Sequence, residues 1–100
     1  EVVAGINKVK RLKSKSHNLI VKKLGSSCRY PGTFNSAVHA IIKSDNYKSA
    51  ILSTIKAGGC NCSRSNFIGS YFAALKGQSD IPSSWILKCH YSKKITRICQ

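Results

Sequence analysis

Cys60 and Cys62, one residue apart in the run Ala57-Gly58-Gly59-Cys60-Asn61-Cys62-Ser63-Arg64, are the residues of this chain best placed to do chemistry. Their thiols suit a soft metal such as zinc. A zinc site would need two further ligands, drawn from Cys28, Cys89, His17, His39 or His90. The usual spacing is C-x2–4-C, and C-x-C departs from it. Redox chemistry is the second option. The pair directly precedes an apolar helical run, where the helix dipole and free N–H groups favour a thiolate, and Arg64 adds positive charge. A disulfide within C-x-C closes only a strained ring. Anion binding is the third option. Backbone N–H groups point outward where a helix opens, and with Gly58, Gly59, Asn61, Ser63 and Arg64 they would dock a phosphate or diphosphate. The simplest alternative is two small thiols filling a tight turn between helices. Cys89 and His90 are a poor catalytic pair, because neighbours on a helix point about 100° apart.

Composition narrows the setting. The chain has 100 residues and no methionine, so Glu1 is not an initiator residue and a fragment of a longer protein is expected. Hydrophobic residues make up 42%, enough for a packed core. Lys and Arg number 17 against 3 acids, a net charge of +14. Such an excess favours polyanions. Its distribution argues against a dedicated surface: seven basic residues lie in the first 25 positions, the rest are scattered, and no block of five like charges occurs. A basic nucleic-acid-binding module therefore stands as an alternative, not the leading reading. Five cysteines are an odd set for a secreted disulfide scaffold. No signal-peptide core is visible, and no apolar stretch approaches the ~20 residues that cross a bilayer. Reduced thiols, a cytoplasmic setting and no membrane partner are expected.

The elements that must position the turn read as helices. In residues 1–12, Val3, Ile6, Val9 and Leu12 form a weak stripe interrupted by Gly5. In the next helix Ser16 caps, Leu19, Ile20 and Leu24 face inward, and Gly25 terminates. Residues 26–33 are a loop with Pro31 and Gly32 as turn residues. Thr33 caps a helix with Phe34, Ala37, Val38 and Ile41 on one face. Ser44 or Asp45 caps the following one, whose stripe is Tyr47, Ala50, Ile51 and Ile55, and Gly58 stops it. In residues 64–76, Phe67, Ile68, Tyr71, Phe72, Ala74 and Leu75 cover most of the circumference, the pattern of a helix buried on several sides. Gly69 in its interior suits the close approach of another backbone. Gly77 ends it. Pro82 opens a last helix at its first position, with Trp85, Ile86 and Cys89 inward. His39 lies beside an apolar face and is expected to be hydrogen-bonded and partly buried. No strand pattern emerges. The expected fold is all-α, an orthogonally packed helical bundle in one partial domain spanning residues 1–100.

Residues 28–90 resemble the C-terminal part of the ADP-ribosylglycohydrolase family. The resemblance rests on the helix ending in Ala57-Gly58-Gly59, the glycine-containing apolar helix with Ile68-Gly69 and Gly77, the run Ile81-Pro82-Ser83-Ser84-Trp85, and the upstream helix that delivers the Gly-Gly turn. It implies a fragment of a larger helical domain. In active members the Gly-Gly turn leads into Asp-x-Asp-Thr, whose oxygens help bind a magnesium pair that positions ADP-ribose for hydrolysis. Carried over by position, Cys60 stands at the first Asp, Cys62 at the second and Ser63 at the Thr. The wording of this run is similar to that of the J-crystallins of jellyfish lenses, family members used as structural proteins. Magnesium is a hard cation that requires oxygen ligands, and thiolates are soft. The acids are only Glu1, Asp45 and Asp80, none of them near the turn. The resemblance therefore implies an inactive segment with no cofactor of its own. Its partner would be the missing N-terminal part of the same protein, which holds the other magnesium ligands. Residual affinity for ADP-ribose or another phosphate is the remaining ligand expectation. The enzymatic alternative is that the segment belongs to an ADP-ribosyl hydrolase whose other site residues lie upstream.

Overall fold

The structure, a computed structural model, describes residues 2–99. Glu1, counted above among the acids, lies outside the described residues. All regular structure among them is helical: α1 (Val2–Arg11), α2 (His17–Leu24), α3 (Gly32–Lys43), α4 (Tyr47–Ala57), α5 (Asn61–Lys76), a short 3-10 turn (Gln78–Asp80), α6 (Ser83–Lys88) and α7 (Ser92–Cys99). Helices α2 to α5 pack on one another, α1 lies on α3, and α6 leads into α7. Ala37, Ala40, Ala50, Ile51, Ile68 and Phe72 form the core, with Ile41, Tyr47 and Trp85 packed against it. Three alanines there let helix backbones come close, so small residues do much of the packing.

The boundaries follow local chemistry. Gly25, Gly58 and Gly77 end α2, α4 and α5. Helix α3 begins at Gly32, one residue before the expected Thr33 cap, with Pro31 at its N-cap. Ser16 holds the N-cap position of α2 without a side-chain bond. Neither Ser44 nor Asp45 caps α4. Asn46 does, its Oδ1 accepting from the Ser49 N–H at 2.9 Å. Asp80 Oδ2 accepts from the Tyr47 N–H at 2.9 Å, so a second side-chain oxygen, this one on a carboxylate, holds the same helix end. Pro82 sits at the N-cap of α6, one residue before the expected position. Residues 92–99 form α7.

Several expected stripes turn by one position. In α2, His17, Ile20 and Val21 are buried while Leu19 is 61% exposed. In α4, Thr54 is buried and Ile55 is exposed. In α1, only Val9 is buried. Helix α5 buries Arg64, Ile68, Gly69 and Phe72, whereas Phe67, Tyr71 and Leu75 are exposed. The apolar girdle read from its sequence is thus covered on one side only. A Cβ at Gly69 would stand 3.3 Å from the Tyr47 ring, so the neighbour it makes room for is a side chain and not a second backbone. Cys89 is exposed.

Candidate functional site around the Gly-Gly turn

Helix α5 begins three residues earlier than the apolar pattern suggests, at Asn61. Cys60 therefore takes the N-cap position, and Cys62, Ser63 and Arg64 fall in the first helical turn. Two backbone features make this possible. Gly58 and Gly59 adopt φ of 78° and 73°, in the left-handed region where glycine is favoured. At Gly59 a Cβ would also collide with the backbone oxygen of Ser26. That oxygen accepts from the Cys60 N–H at 2.6 Å, pinning the turn against the loop between α2 and α3.

Arg64 is fully buried. On a helix the side chain leans back toward the N-terminus, so from α5 it reaches under the turn that precedes it. Its Nε donates to Thr54 Oγ1 at 2.8 Å, and Nη1 donates to Ser26 O at 3.2 Å. Nη2 donates to Thr54 O at 3.0 Å, to Asn61 Oδ1 at 2.9 Å and to Gly58 O. Burial lowers its pKa, and Cys60 acts in the opposite direction. The guanidinium remains charged, because an arginine pKa starts so high. Among the described residues no carboxylate meets it, and carbonyl dipoles solvate the cation instead. Arg64 was expected to face a phosphate. It faces inward, and it also occupies the Gly58 carbonyl and the Asn61 side-chain oxygen. Gly59 is exposed, and Asn61 and Ser63 are half-buried at the rim.

A buried polar chain continues from Arg64. Thr54 Oγ1 lies 3.2 Å from His17 Nε2, and His17 Nδ1 lies 3.0 Å from His39 Nδ1. His39 Nε2 lies 3.0 Å from the Leu12 carbonyl. A carbonyl only accepts, so His39 carries its proton on Nε2 and accepts on Nδ1. His17 then donates from Nδ1 and accepts from the Thr54 hydroxyl on Nε2. The Thr54 oxygen receives the Arg64 Nε–H. Every bond runs in one direction, and both imidazoles are neutral. Burial, then the proximity of His39, Arg64 and Lys43, lowers the His17 pKa from 6.5 to about 4. Burial also lowers the His39 pKa, against a raising contribution from the Leu12 carbonyl.

The thiols form a separate group on the outer side of the turn. Cys60 Sγ lies 3.2 Å from Ser63 Oγ and 3.7 Å from Cys62 Sγ. The Ser63 hydroxyl, then its backbone N–H, then Cys62, lowers the Cys60 pKa, partly offset by burial, with Cys28 contributing last. Of the zinc partners considered above, Cys28 lies beside the pair, whereas His17, His39 and Cys89 do not converge here. His17 and His39 are bonded to each other, and Cys89 lines a groove elsewhere. Among the described residues no group of three His, Cys, Asp or Glu is arranged to hold a metal ion.

Thr54 and Ser26 escaped the sequence reading. Thr54 carried a usable signal, since it lies three residues after Ile51 on the inward face of α4. Ser26 carried none, because its backbone oxygen does the work.

This helical architecture around a Gly-Gly turn agrees with comparison to known proteins. The family profile described as ADP-ribosylglycohydrolase matches residues 1–100, and the chain belongs to that family. Among its relatives, Crystallin J1A of Tripedalia cystophora is 38% identical over 85 residues, which is 85% of this chain and 26% of that protein. Crystallin J1B of the same organism is 36% identical over 66 residues, or 66% of this chain and 20% of that protein. The chain spans about a quarter or less of the length of these relatives. No solved structure matches it. No described helix is long and apolar enough to cross a membrane.

Proposed function

We propose that this chain is a C-terminal segment of an ADP-ribosylglycohydrolase-like protein of the J-crystallin kind, in which the Gly-Gly turn has a structural role and no magnesium chemistry. Cys60, Cys62 and Ser63 stand where the family resemblance places carboxylate and hydroxyl ligands. The observation that carries the reading is where the acids lie. Asp80 bonds the first N–H of α4 and Asp45 adjoins the same helix end, so the 11-residue helix holds both about 16 Å of helix rise away from the turn. Two thiols and one hydroxyl are a poor ligand set for a hard dication. Isothermal titration with magnesium chloride, alone and with ADP-ribose, tests this. No saturable heat at millimolar ligand is expected, and a stoichiometric magnesium isotherm overturns the reading.

The proposed partner is the N-terminal part of the same polypeptide. Phe67, Tyr71 and Leu75 leave one side of α5 exposed, and Tyr47, Ile81, Trp85 and Ile95 line a groove of about 550 Å³ against α6 and α7. These exposed apolar surfaces are what the N-terminal part would cover. If phosphate docks at the turn, the Ser63 hydroxyl would hold it, since the Arg64 donors and the Cys60 and Asn61 N–H groups are engaged within the turn. The same titration with ADP-ribose alone checks that. The alternative of a basic nucleic-acid module predicts heparin retention that collapses steeply with salt.

A further inference from the structure

The turn and the loop facing it bring together thiols that neither the core nor the buried polar chain uses. Cys60 Sγ has the Ser63 hydroxyl at 3.2 Å and the Cys62 thiol at 3.7 Å. Cys28 stands two residues beyond Ser26 in the loop between α2 and α3, and it also contributes to lowering the Cys60 pKa. The two segments are already tied by the 2.6 Å bond from the Cys60 N–H to the Ser26 carbonyl. Cys28 and Cys62 are exposed and Cys60 is half-buried, so peroxide and solvent reach the group. Donors around a sulfur stabilise the thiolate, the form that attacks oxidants. The Cys89 and Cys99 thiols are also exposed, and they line the separate groove near α6 and α7.

We propose that Cys60 is a peroxide-reactive thiol and that Cys28 resolves it, forming a reversible disulfide that latches the α2–α3 loop to the Gly-Gly turn. The Cys60 thiolate attacks one oxygen of a hydroperoxide. An S–O bond forms, the O–O bond breaks, and the leaving oxygen departs as water, or as an alcohol from an alkyl hydroperoxide, after taking a proton. The Cys28 thiolate then attacks the sulfenic sulfur. An S–S bond forms, the S–O bond breaks, and hydroxide leaves with a proton as water. Two thiols lose two electrons, and one peroxide is reduced. Cys28 is the better resolving group than Cys62, because it lies 32 positions from Cys60 in the chain and avoids the small ring that C-x-C would close. This inference does not depend on the magnesium argument, since it concerns thiol reactivity alone.

The test treats the full chain with hydrogen peroxide and traps sulfenic acid with dimedone, followed by peptide mass spectrometry. Labelling of Cys60 is expected to be about tenfold faster than at Cys89 or Cys99, which serve as controls in the same molecule. Without dimedone, a Cys28–Cys60 disulfide is expected, reversed by dithiothreitol. In the Cys28→Ser chain, the Cys60 sulfenic acid should persist. Equal labelling of Cys60, Cys89 and Cys99 overturns the proposal. So does a dominant Cys60–Cys62 disulfide, or loss of the Cys60 sulfenic acid at an unchanged rate in C28S.

Discussion

Removing Arg64 would leave several acceptors around the turn short of a donor. Its guanidinium serves Ser26 O, Thr54 Oγ1, Thr54 O, Gly58 O and Asn61 Oδ1. Each buried polar group that loses its partner costs about 1–3 kcal/mol, and the emptied volume adds a cavity term. Arg64→Ala should therefore destabilise the fold by about 3 kcal/mol or more, read as a lower urea midpoint at unchanged slope. Arg64→Lys keeps the charge but not the planar fork, and should recover only part of the loss. A surface arginine holding a phosphate would behave differently, with both substitutions changing stability little. The sequence placed Arg64 correctly at the turn but aimed it outward. Helical phase explains the difference: with the start of α5 moved to Asn61, position 64 falls in line with Ile68 and Phe72, the inward face.

The pairing of α2 with α3 and α4 depends on two neutral histidines. Free histidine binds its proton near pH 6.5, whereas folded His17 does so at about 4. Between these values the unfolded chain binds more protons than the folded one, so stability falls as pH is lowered through that window. The difference amounts to about 3 kcal/mol for His17 alone. Charging His17 puts a proton on Nε2, where the Thr54 hydroxyl donates, and reverses that bond. Urea midpoints measured from pH 7 to pH 4 should fall steadily, and His17→Gln should flatten the curve. A midpoint independent of pH over this range would contradict the neutral chain. The N-terminus of α4 gives a second element-level expectation. Asp80→Ala removes the oxygen that accepts from the Tyr47 N–H and should cost about 1 kcal/mol by urea denaturation, with Asn46→Ala similar. Helix existence was legible from periodicity and from Gly25, Gly58 and Gly77. Cap identity was only partly legible: the cap falls at Asn46, one position beyond Asp45, and the second partner, Asp80, comes from 33 residues away where no local rule reaches. The inward rotation of His17 was hidden for a related reason: a polar side chain looks external until a partner on another helix satisfies it.

The molecule as a whole has a small core and much uncovered apolar surface. Leu87 is 81% exposed and Ile98 is 73% exposed, and both lie on the last two helices. The resemblance to the ADP-ribosylglycohydrolase family was readable from the Gly-Gly turn, the glycine-containing helix and the Ile-Pro-x-x-Trp run, because those features answer to backbone geometry. The burial and hydrogen bonding of His39 were readable from its place beside an apolar face, but the connected chain was not, because Arg64, Thr54, His17 and His39 come from four helices whose mutual approach no local pattern encodes. The proposed absence of magnesium chemistry belongs to this scale, and it rests on a turn with sulfur outside and an arginine brace inside. The most direct test is release of ADP-ribose from an ADP-ribosylated peptide by the purified chain, with its thiols alkylated and magnesium either supplied or chelated. The expected result is the same background rate in both conditions. Release that requires magnesium and stops on chelation would contradict it.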